Sequence, residues 1–232
     1  MKKWETSSGC QIIRILAGRS NVFLLMNGKK TILVDTSVEL TWKTLTRRLS
    51  RLKVDHLDYL ILTHSHMDHA GNAARVKEKY GPLVVIHRSE SSQLSSGEFL
   101  VPAGTNFFSR GIVSAGTKML PGLLRCEPCQ PDILADSRFD LSEFGLNASL
   151  LHTPGHSPGS MSVIVDDEIA LVGDAMVGLF NGTIFPPFAG DEKQVVKSWG
   201  RLLGTGCTLF IPSHGSANTR TVVQKNFDRR KE

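Results

Sequence analysis

The segment from Thr63 to Asn72 constrains this chain more than any other. It places three histidines and one aspartate within six positions, as His64-x-His66-x-Asp68-His69, directly after the apolar run at 59–62. In an extended chain His64 and His66 are two positions apart, so their side chains project to the same side. Two neutral imidazoles on one side of a strand can bind one divalent ion. The sequence therefore predicts a metal site at the end of this strand.

The residues that follow the cluster predict a turn into a helix. The stretch 70–80 has the composition of a helix, which Gly81-Pro82 ends. His69 breaks the two-residue alternation of the cluster. We therefore expect Asp68 and His69 at a strand-to-helix turn, from which they can reach a second ion beside the first. The alternative interpretation is a solvated polar loop that happens to contain histidines.

Length and composition are those of an ordinary globular protein. The chain has 232 residues, 41% apolar and 21% charged, which favours one α/β domain spanning residues 1–232. The net charge of +5 comes from scattered basic residues, so no nucleic-acid partner is indicated. No apolar stretch is long enough for a membrane span, no secretory leader is evident, and the four cysteines are irregularly spaced. We expect a cytoplasmic protein without a membrane partner.

Apolar runs predict strands, and apolar residues at helical spacing predict helices, in the order of an α/β layered protein. Asn27-Gly28 is a strong hairpin signal, and residues 39–53 predict an amphipathic helix. Asp191 is expected to cap a later helix that Gly204 ends. Two strand-rich halves, each followed by helices, favour a four-layered αβ/βα sandwich. Strands are expected at residues 11–17, 21–26, 31–34, 58–62, 83–86, 133–135, 147–152, 161–165, 168–172 and 208–211.

The stretch from about residue 88 to 132 interrupts this pattern. Serine-rich and proline-containing segments break it repeatedly. Apolar residues at helical spacing predict one helix near Thr105–Leu120. Long insertions in compact domains are often lids or binding elements, so we interpret this stretch as a lid of the same domain.

Three further segments end expected strands with ligand-type residues. They contain His156 in Thr-Pro-Gly-His-Ser-Pro-Gly, Asp174 after Val172-Gly173, and His214 between Ser213 and Gly215. In each, glycine or proline allows the backbone to turn sharply beside the polar residue. Taken alone, a histidine such as His214 is more often an ordinary surface residue. Together with the first cluster, these segments form a motif set in a fixed order.

This motif set resembles the signature of the metallo-β-lactamase superfamily of hydrolases. The resemblance covers nearly the whole chain and implies the αβ/βα sandwich, the metallo-β-lactamase fold, with a dinuclear metal site. Asp35, which ends its strand, resembles the family's aspartate that orients a ligand imidazole; a strand-end cap is the alternative. His152 is expected to support the site rather than to bind metal. The resemblance assigns His64, His66 and His156 to a first metal ion, Asp68, His69 and His214 to a second, and Asp174 to both.

The resemblance implies a hydrolase with a small-molecule substrate. Two divalent ions would share a hydroxide that attacks a small ester, thioester or lactone, while Asp68 orients the nucleophile and carries a proton to the leaving group. Imidazole and carboxylate ligands suit Zn²⁺ best, with Mn or Fe as alternatives. Two other functions stay open, namely a phosphodiesterase on the same site and a non-catalytic, metal-containing ligand-binding or regulatory protein. The sequence does not determine the substrate, the metal or the oligomeric state.

Some residues depart from particular subfamilies. Ser160 stands where the glyoxalase II type usually has histidine, and Asp174 stands where cysteine-ligand β-lactamases have cysteine. The pair Cys126 and Cys129 has no partner pair, so we interpret it as two incidental thiols rather than a redox or zinc motif. Three phenylalanines follow Asp174 and are expected either to line an apolar substrate pocket or simply to pack beneath a loop: Phe180, Phe185 and Phe188.

Overall fold

Two β-sheets form the centre of the protein. The structure is a computed structural model, and it describes residues 1–99, 104–105, 125–142, 145–179 and 182–231. The first sheet has its strands in sequence order; β1 to β4 run antiparallel, and β4 to β7 run parallel. Its strands are β1 Lys3–Glu5, β2 Gln11–Leu16, β3 Val22–Met26, β4 Thr31–Val34, β5 Tyr59–Ile61, β6 Leu83–His87 and β7 Ile133–Ala135.

The second sheet contains the strands of the C-terminal half, also in sequence order. Strands β11 and β12 are parallel and the other neighbours are antiparallel. Asp166 and Asp167 both have positive φ, at 52° and 56°, as a tight hairpin between β10 and β11 requires. The strands are β8 Arg138–Asp140, β9 Ala148–His152, β10 Met161–Val165, β11 Ile169–Leu171, β12 Leu209–Ile211 and β13 Asn218–Thr219.

Helices cover the outer face of each sheet. On the first sheet, Leu45 and Leu49 of α1 and Val76 of α3 pack against one set of strand residues. On the second, Trp199 of α5 and Val223 of α6 do the same. The α-helices of the described residues are α1 Trp42–Arg51, α2 Met67–Ala70, α3 Ala73–Tyr80, α4 Ser91–Ser96, α5 Glu192–Leu203 and α6 Arg220–Asp228.

A third apolar cluster fills the space between the sheets. Neighbouring strand residues alternate between the two sides, so that Ile12 and Leu25 face the other sheet while Ile13 and Leu24 face the helices. The order of layers is therefore helix, sheet, sheet, helix. This confirms the predicted four-layered sandwich. The assignment of residues 1–232 to a single domain stays a prediction.

Most local expectations are met. Asn27 accepts hydrogen bonds from the backbone N–H groups of Lys29 and Lys30 in the β3–β4 hairpin. Asp191 caps α5 by accepting from the N–H of Gln194, and Gly204 follows the last residue of that helix. Strands β1, β8 and β13 and helices α4 and α6 were not predicted. Their sequences are short or weakly patterned, so contacts with neighbouring elements determine them.

The predicted helix at 70–80 is wrong in its boundaries. The structure has two helices, α2 and α3, separated by Gly71 and Asn72. A Cβ at position 71 would lie 2.4 Å from the carbonyl oxygen of Met67 and 2.8 Å from that of Ser37. The Asn72 side chain donates to backbone carbonyls of the loop at 36–38. Asp68 and His69 therefore lie within α2, not on a turn before the helix.

Two other predictions need comment. The helix predicted at 39–53 begins as a 3₁₀ turn at Glu39–Thr41, and Lys53 lies beyond its end with φ of 57°. The helix predicted near Thr105–Leu120 lies outside the described residues, apart from Thr105. That residue donates from its N–H to the carbonyl of Pro187 and from its hydroxyl to that of Pro186. Thr105 thus contacts the two prolines that precede Phe188, whose carbonyl oxygen lies 2.9 Å from Nδ1 of His156.

None of the described helices combines the length and the apolar character that a membrane crossing requires. The cytoplasmic location stays a prediction.

Candidate metal centre

The candidate site lies where strands of both sheets end. The His64–His69 segment follows β5, the loop with His156 follows β9, Asp174 follows β11, and His214 follows β12. Strand β5 belongs to the first sheet and the other three strands to the second. The packing of the two sheets therefore brings together residues that are up to 150 positions apart in sequence.

The donor atoms of these residues lie at distances typical of ligands that share an ion. Two atoms bound tetrahedrally at about 2.0–2.2 Å to one zinc ion lie about 3.3–3.6 Å apart. Nε2 of His214 lies 3.2 Å from Oδ2 of Asp68 and 3.4 Å from Oδ2 of Asp174. Nε2 of His69 lies 3.6 Å from a carboxylate oxygen of each aspartate. Nε2 of His156 lies 3.6 Å from Asp174 Oδ2 and 3.0 Å from His66 Nδ1.

The ligand-type atoms form three overlapping groups, each with its atoms within 4.8 Å of one another. His64, His66 and His156 form the first, which we call the three-histidine group. It contains the residues expected at the first metal. The other groups are His64, His69 and Asp174, and Asp68, His69 and His214. The structure thus brings together all seven predicted ligands, and the carboxylate of Asp174 lies 3.4–3.6 Å from imidazole nitrogens of His69, His156 and His214.

Three buried polar atoms at this place have no hydrogen-bond partner among the described residues. They are Nε2 of His64, Nε2 of His69 and Oδ1 of Asp174. A buried polar atom without a partner costs about 1–3 kcal/mol. The ligand atoms of these three residues lie within 4.8 Å of one another, so a cation would satisfy them together once His69 has lost its Nε2 proton. The residues present therefore fit a metal centre.

Hydrogen bonds from Nδ1 hold two of the candidate ligand imidazoles in place. Asp35 accepts from Nδ1 of His69 at 2.8 Å, from the N–H and hydroxyl of Thr63, and from the hydroxyl of Ser213. The carbonyl of Phe188 accepts from Nδ1 of His156 at 2.9 Å. In both cases Nδ1 donates, so Nε2 is the ring nitrogen that is directed into the site, and it offers a lone pair to a metal ion when the imidazole is neutral. The position of Asp35 agrees with the orienting role expected for it.

His152 lies outside the ligand cluster. Its Nε2 lies 2.8 Å from the carbonyl oxygen of Pro158, and its ring stacks on that of His87 at a centroid distance of 4.2 Å. It therefore supports the loop that carries His156 without contributing a ligand atom.

Two histidines of the site are neutral. Burial, with neighbouring imidazoles adding to it, lowers the pKa of His64 well below its ordinary value. Burial and the nearby His156 lower the pKa of His66 to about 4. Both side chains therefore have a free lone pair at neutral pH, as a metal ligand requires.

In the rest of the site, protonated imidazoles of His69 and His214 face ionised carboxylates of Asp68 and Asp174. Burial opposes protonation of His69 and His214, but the carboxylates of Asp68 and Asp174 outweigh it. The pKa of His69 lies well above its ordinary value, and that of His214 rises to about 10. Against the effect of burial, the same imidazoles lower the pKa of Asp68 to about 2 and that of Asp174 well below its ordinary value.

Binding of Zn²⁺ to the metal-free protein near neutral pH is expected to release about two protons per chain, because His69 and His214 must deprotonate to become ligands. Since the pKa of His214 is about 10, the apparent zinc affinity should rise with pH throughout the neutral range. Calorimetric titrations in buffers of different ionisation enthalpy measure the proton count. Stoichiometric zinc binding without proton release would contradict this expectation.

The cysteine pair and the three phenylalanines from the sequence analysis contribute no side-chain ligand atom to the site in the part that the structure describes. Burial raises the pKa of Cys126 to about 12 and that of Cys129 to about 11, so neither is a reactive thiolate. Phe185 packs edge-on against Trp199 in the helical layer, which supports packing rather than a pocket wall. Phe188 contributes its backbone carbonyl, and Phe180 lies outside the described residues.

A protein-family model described as "Metallo-beta-lactamase superfamily" matches residues 15–214 of this chain. This range includes all seven candidate ligands. The chain therefore belongs to the metallo-β-lactamase superfamily, as the motif set had indicated.

Individual relatives cover most of the chain. The metallo-beta-lactamase fold-containing protein ST1585 of Sulfurisphaera tokodaii is 28% identical over 213 residues, covering 90% of this chain and 77% of its own. Hydroxyacylglutathione hydrolase GloC of Haemophilus influenzae is 28% identical over 215 residues, with coverages of 90% and 92%. The crystal structure of BLEG-1 B3 metallo-beta-lactamase matches with a TM-score of 0.69 and 23% identity, over 93% of this chain and 96% of that one. At that identity the structural likeness concerns the fold alone.

Proposed function

We propose that this protein is a dinuclear metal-dependent hydrolase that acts on a small thioester, ester or lactone, with thioesters as the first class to test. The observation that carries the proposal is the set of seven histidine and aspartate side chains with facing ligand atoms, three of which are buried and have no hydrogen-bond partner in the part of the chain that the structure describes. The name of the relative GloC, a hydroxyacylglutathione hydrolase that aligns with 90% of this chain, supports the thioester class.

The proposed division of ligands follows the three groups of donor atoms. His64, His66 and His156 would hold one ion, Asp68, His69 and His214 the other, and Asp174 would contact both. Divalent ions bound there, with zinc suiting the donor set best, would polarise a carbonyl oxygen and lower the pKa of a water molecule enough to make it nucleophilic near neutral pH.

Asp68 is proposed to orient the nucleophile and to transfer a proton during the reaction. Its side chain is 34% exposed, whereas that of Asp174 is 10% exposed, so Asp68 is the carboxylate of the pair that a substrate can approach. Its Oδ2 lies 3.2 Å from Nε2 of His214, and this contact fixes the carboxylate while it orients the nucleophile. The other carboxylate oxygen of Asp68, which the ion would leave free, can accept a proton from the nucleophilic water and pass it to the leaving group.

The first test compares metal content in the wild type, His66→Ala and His56→Ala. We expect about two ions per chain in the wild type and about one or none in His66→Ala, because the three-histidine group loses a ligand. His56→Ala is the matched control, since His56 is an exposed histidine outside the site. It should keep the wild-type metal content. Elemental analysis of protein purified without chelators measures all three.

A substrate panel then tests the chemistry. Acyl-glutathione thioesters, the matched oxygen esters, lactones and a phosphodiester are compared at equal concentration, with the His66→Ala protein as the background. Thioester hydrolysis that falls in His66→Ala supports the proposal. Phosphodiester hydrolysis alone would replace it with the phosphodiesterase alternative. Metal-loaded protein that hydrolyses none of these would favour a non-catalytic binding or regulatory role, and a wild type that takes up no metal would overturn the proposal.

A further inference from the structure

A buried glutamate connects two of the loops that carry the candidate ligands. Glu90 follows β6 at the end of a 3₁₀ turn and is 1% exposed. Its Oε2 accepts from the backbone N–H of Ser65 at 3.1 Å and from the Ser65 hydroxyl at 2.5 Å. Its Oε1 accepts from the backbone N–H of Gly159 at 2.9 Å. One carboxylate therefore binds two separate segments of backbone.

Both segments carry residues of the three-histidine group. Ser65 lies between His64 and His66, and Gly159 lies three residues after His156. The bond from the N–H of Met161 to the carbonyl of Thr63, at 2.8 Å, joins the same two loops at one further point. The relative position of the loops determines whether the three imidazoles can converge on one ion.

The surroundings of Glu90 favour an ionised carboxylate, because hydrogen-bond donors face both of its oxygens. Burial raises the pKa of Glu90, but hydrogen bonds from Ser65, Ser157 and Gly159 outweigh burial and hold the pKa below its usual value. A Cβ at position 159 would lie 2.5 Å from Cγ of Glu90 and 3.0 Å from Nδ1 of His87. Position 159 therefore requires glycine for the carboxylate to reach the backbone N–H. This contact explains why the last residue of the Thr-Pro-Gly-His-Ser-Pro-Gly segment is glycine.

We propose that Glu90 is a positioning residue for the metal centre, which holds the His64–His66 loop and the His156 loop at the spacing that lets all three imidazoles bind one ion. The inference rests on the proposed metal-dependent function. Glu90 contributes no atom to the ion itself. It acts through the backbone of Ser65 and Gly159.

The variant that tests this inference is Glu90→Gln. An amide of nearly the same shape offers one acceptor oxygen and one NH₂ group, so at one of the two loops a donor must face a donor. We expect zinc affinity at the three-histidine group to fall by about 10–100-fold, the range found when residues that support metal ligands are replaced. Competition with a chromophoric chelator measures the affinity. The absorption spectrum of Co²⁺-substituted protein reports the ligand geometry and should change.

Asp132→Asn is the matched control. Asp132 also accepts from a backbone N–H, that of Val84 at 2.8 Å, and pairs with Lys77. It makes these contacts at the opposite end of β6 from Glu90. The same change from carboxylate to amide should lower the free energy of unfolding without changing zinc affinity or the Co²⁺ spectrum. Ser65→Ala is a milder second variant, which removes one hydrogen bond to Glu90 and should weaken zinc binding less than Glu90→Gln does.

A readout in the metal-free protein separates this inference from the proposed function. Hydrogen exchange at the backbone N–H groups of Ser65 and Gly159 should accelerate in Glu90→Gln and not in Asp132→Asn. A Glu90→Gln protein with wild-type zinc affinity and Co²⁺ spectrum would overturn the positioning role while leaving the hydrolase proposal intact. A wild type that binds no metal would overturn both, because the positioning role requires an ion to be positioned.

Discussion

Replacing Asp174 with asparagine is expected to lower the bound metal to about one ion per chain and to lower hydrolysis about a thousandfold. Oδ1 of Asp174 lies 3.6 Å from Nε2 of His69, and Oδ2 lies 3.6 Å from His156 and 3.4 Å from His214. The carboxylate thus faces imidazoles from both expected ion positions. An amide would present an NH₂ group to one of them and would remove a negative charge from the middle of the site.

Metal analysis and steady-state kinetics check this expectation. Asp136→Asn is the matched control, because Asp136 makes an ion pair with Arg88 with both side chains at least 60% exposed, and exposed pairs contribute little to stability. It should keep full metal content and full activity. An Asp174→Asn protein with two ions and wild-type turnover would show that this residue is not shared between ions, and the ligand assignment would then need revision.

Removing the metal is expected to lower the melting temperature by about 10 °C or more. An ion present at about a thousand times its dissociation constant stabilises the folded state by about 4 kcal/mol. For a chain of this size, each kcal/mol corresponds to about 2–4 °C. The physical cause is local: without a cation, the buried atoms His64 Nε2, His69 Nε2 and Asp174 Oδ1 have no partner among the described residues.

Thermal denaturation before and after dialysis against a chelator measures the shift. Adding zinc back should restore the original melting temperature, and adding magnesium should not, because imidazole ligands suit zinc and magnesium prefers oxygen. The His66→Ala protein should show a smaller shift than the wild type. A chelated protein that is verified to be metal-free and melts at the wild-type temperature would contradict the expected coupling of metal to stability.

Much of the fold could be predicted from local sequence patterns. The Asn27-Gly28 turn and the cap at Asp191 are determined by residues within three positions of each other, so the sequence states them directly. The break at Gly71 and Asn72 was missed because part of its cause is not local: Asn72 donates to backbone carbonyls of the loop at 36–38. The carbonyl of Ser37, from a distant loop, occupies the space that a side chain at position 71 would need.

The candidate site likewise has some features that follow from short sequence segments and others that follow only from the tertiary structure. By itself the sequence determined the types of ligand, their order and their places at strand ends, because the spacing of His64 and His66 and the turns beside His156, Asp174 and His214 are properties of short segments. Only the tertiary structure decided which atoms face one another and what supports them. Glu90 contacts Ser65 across 25 positions and Gly159 across 69. No short-range pattern records such contacts, since they exist only once the two sheets pack and bring the ends of their strands together.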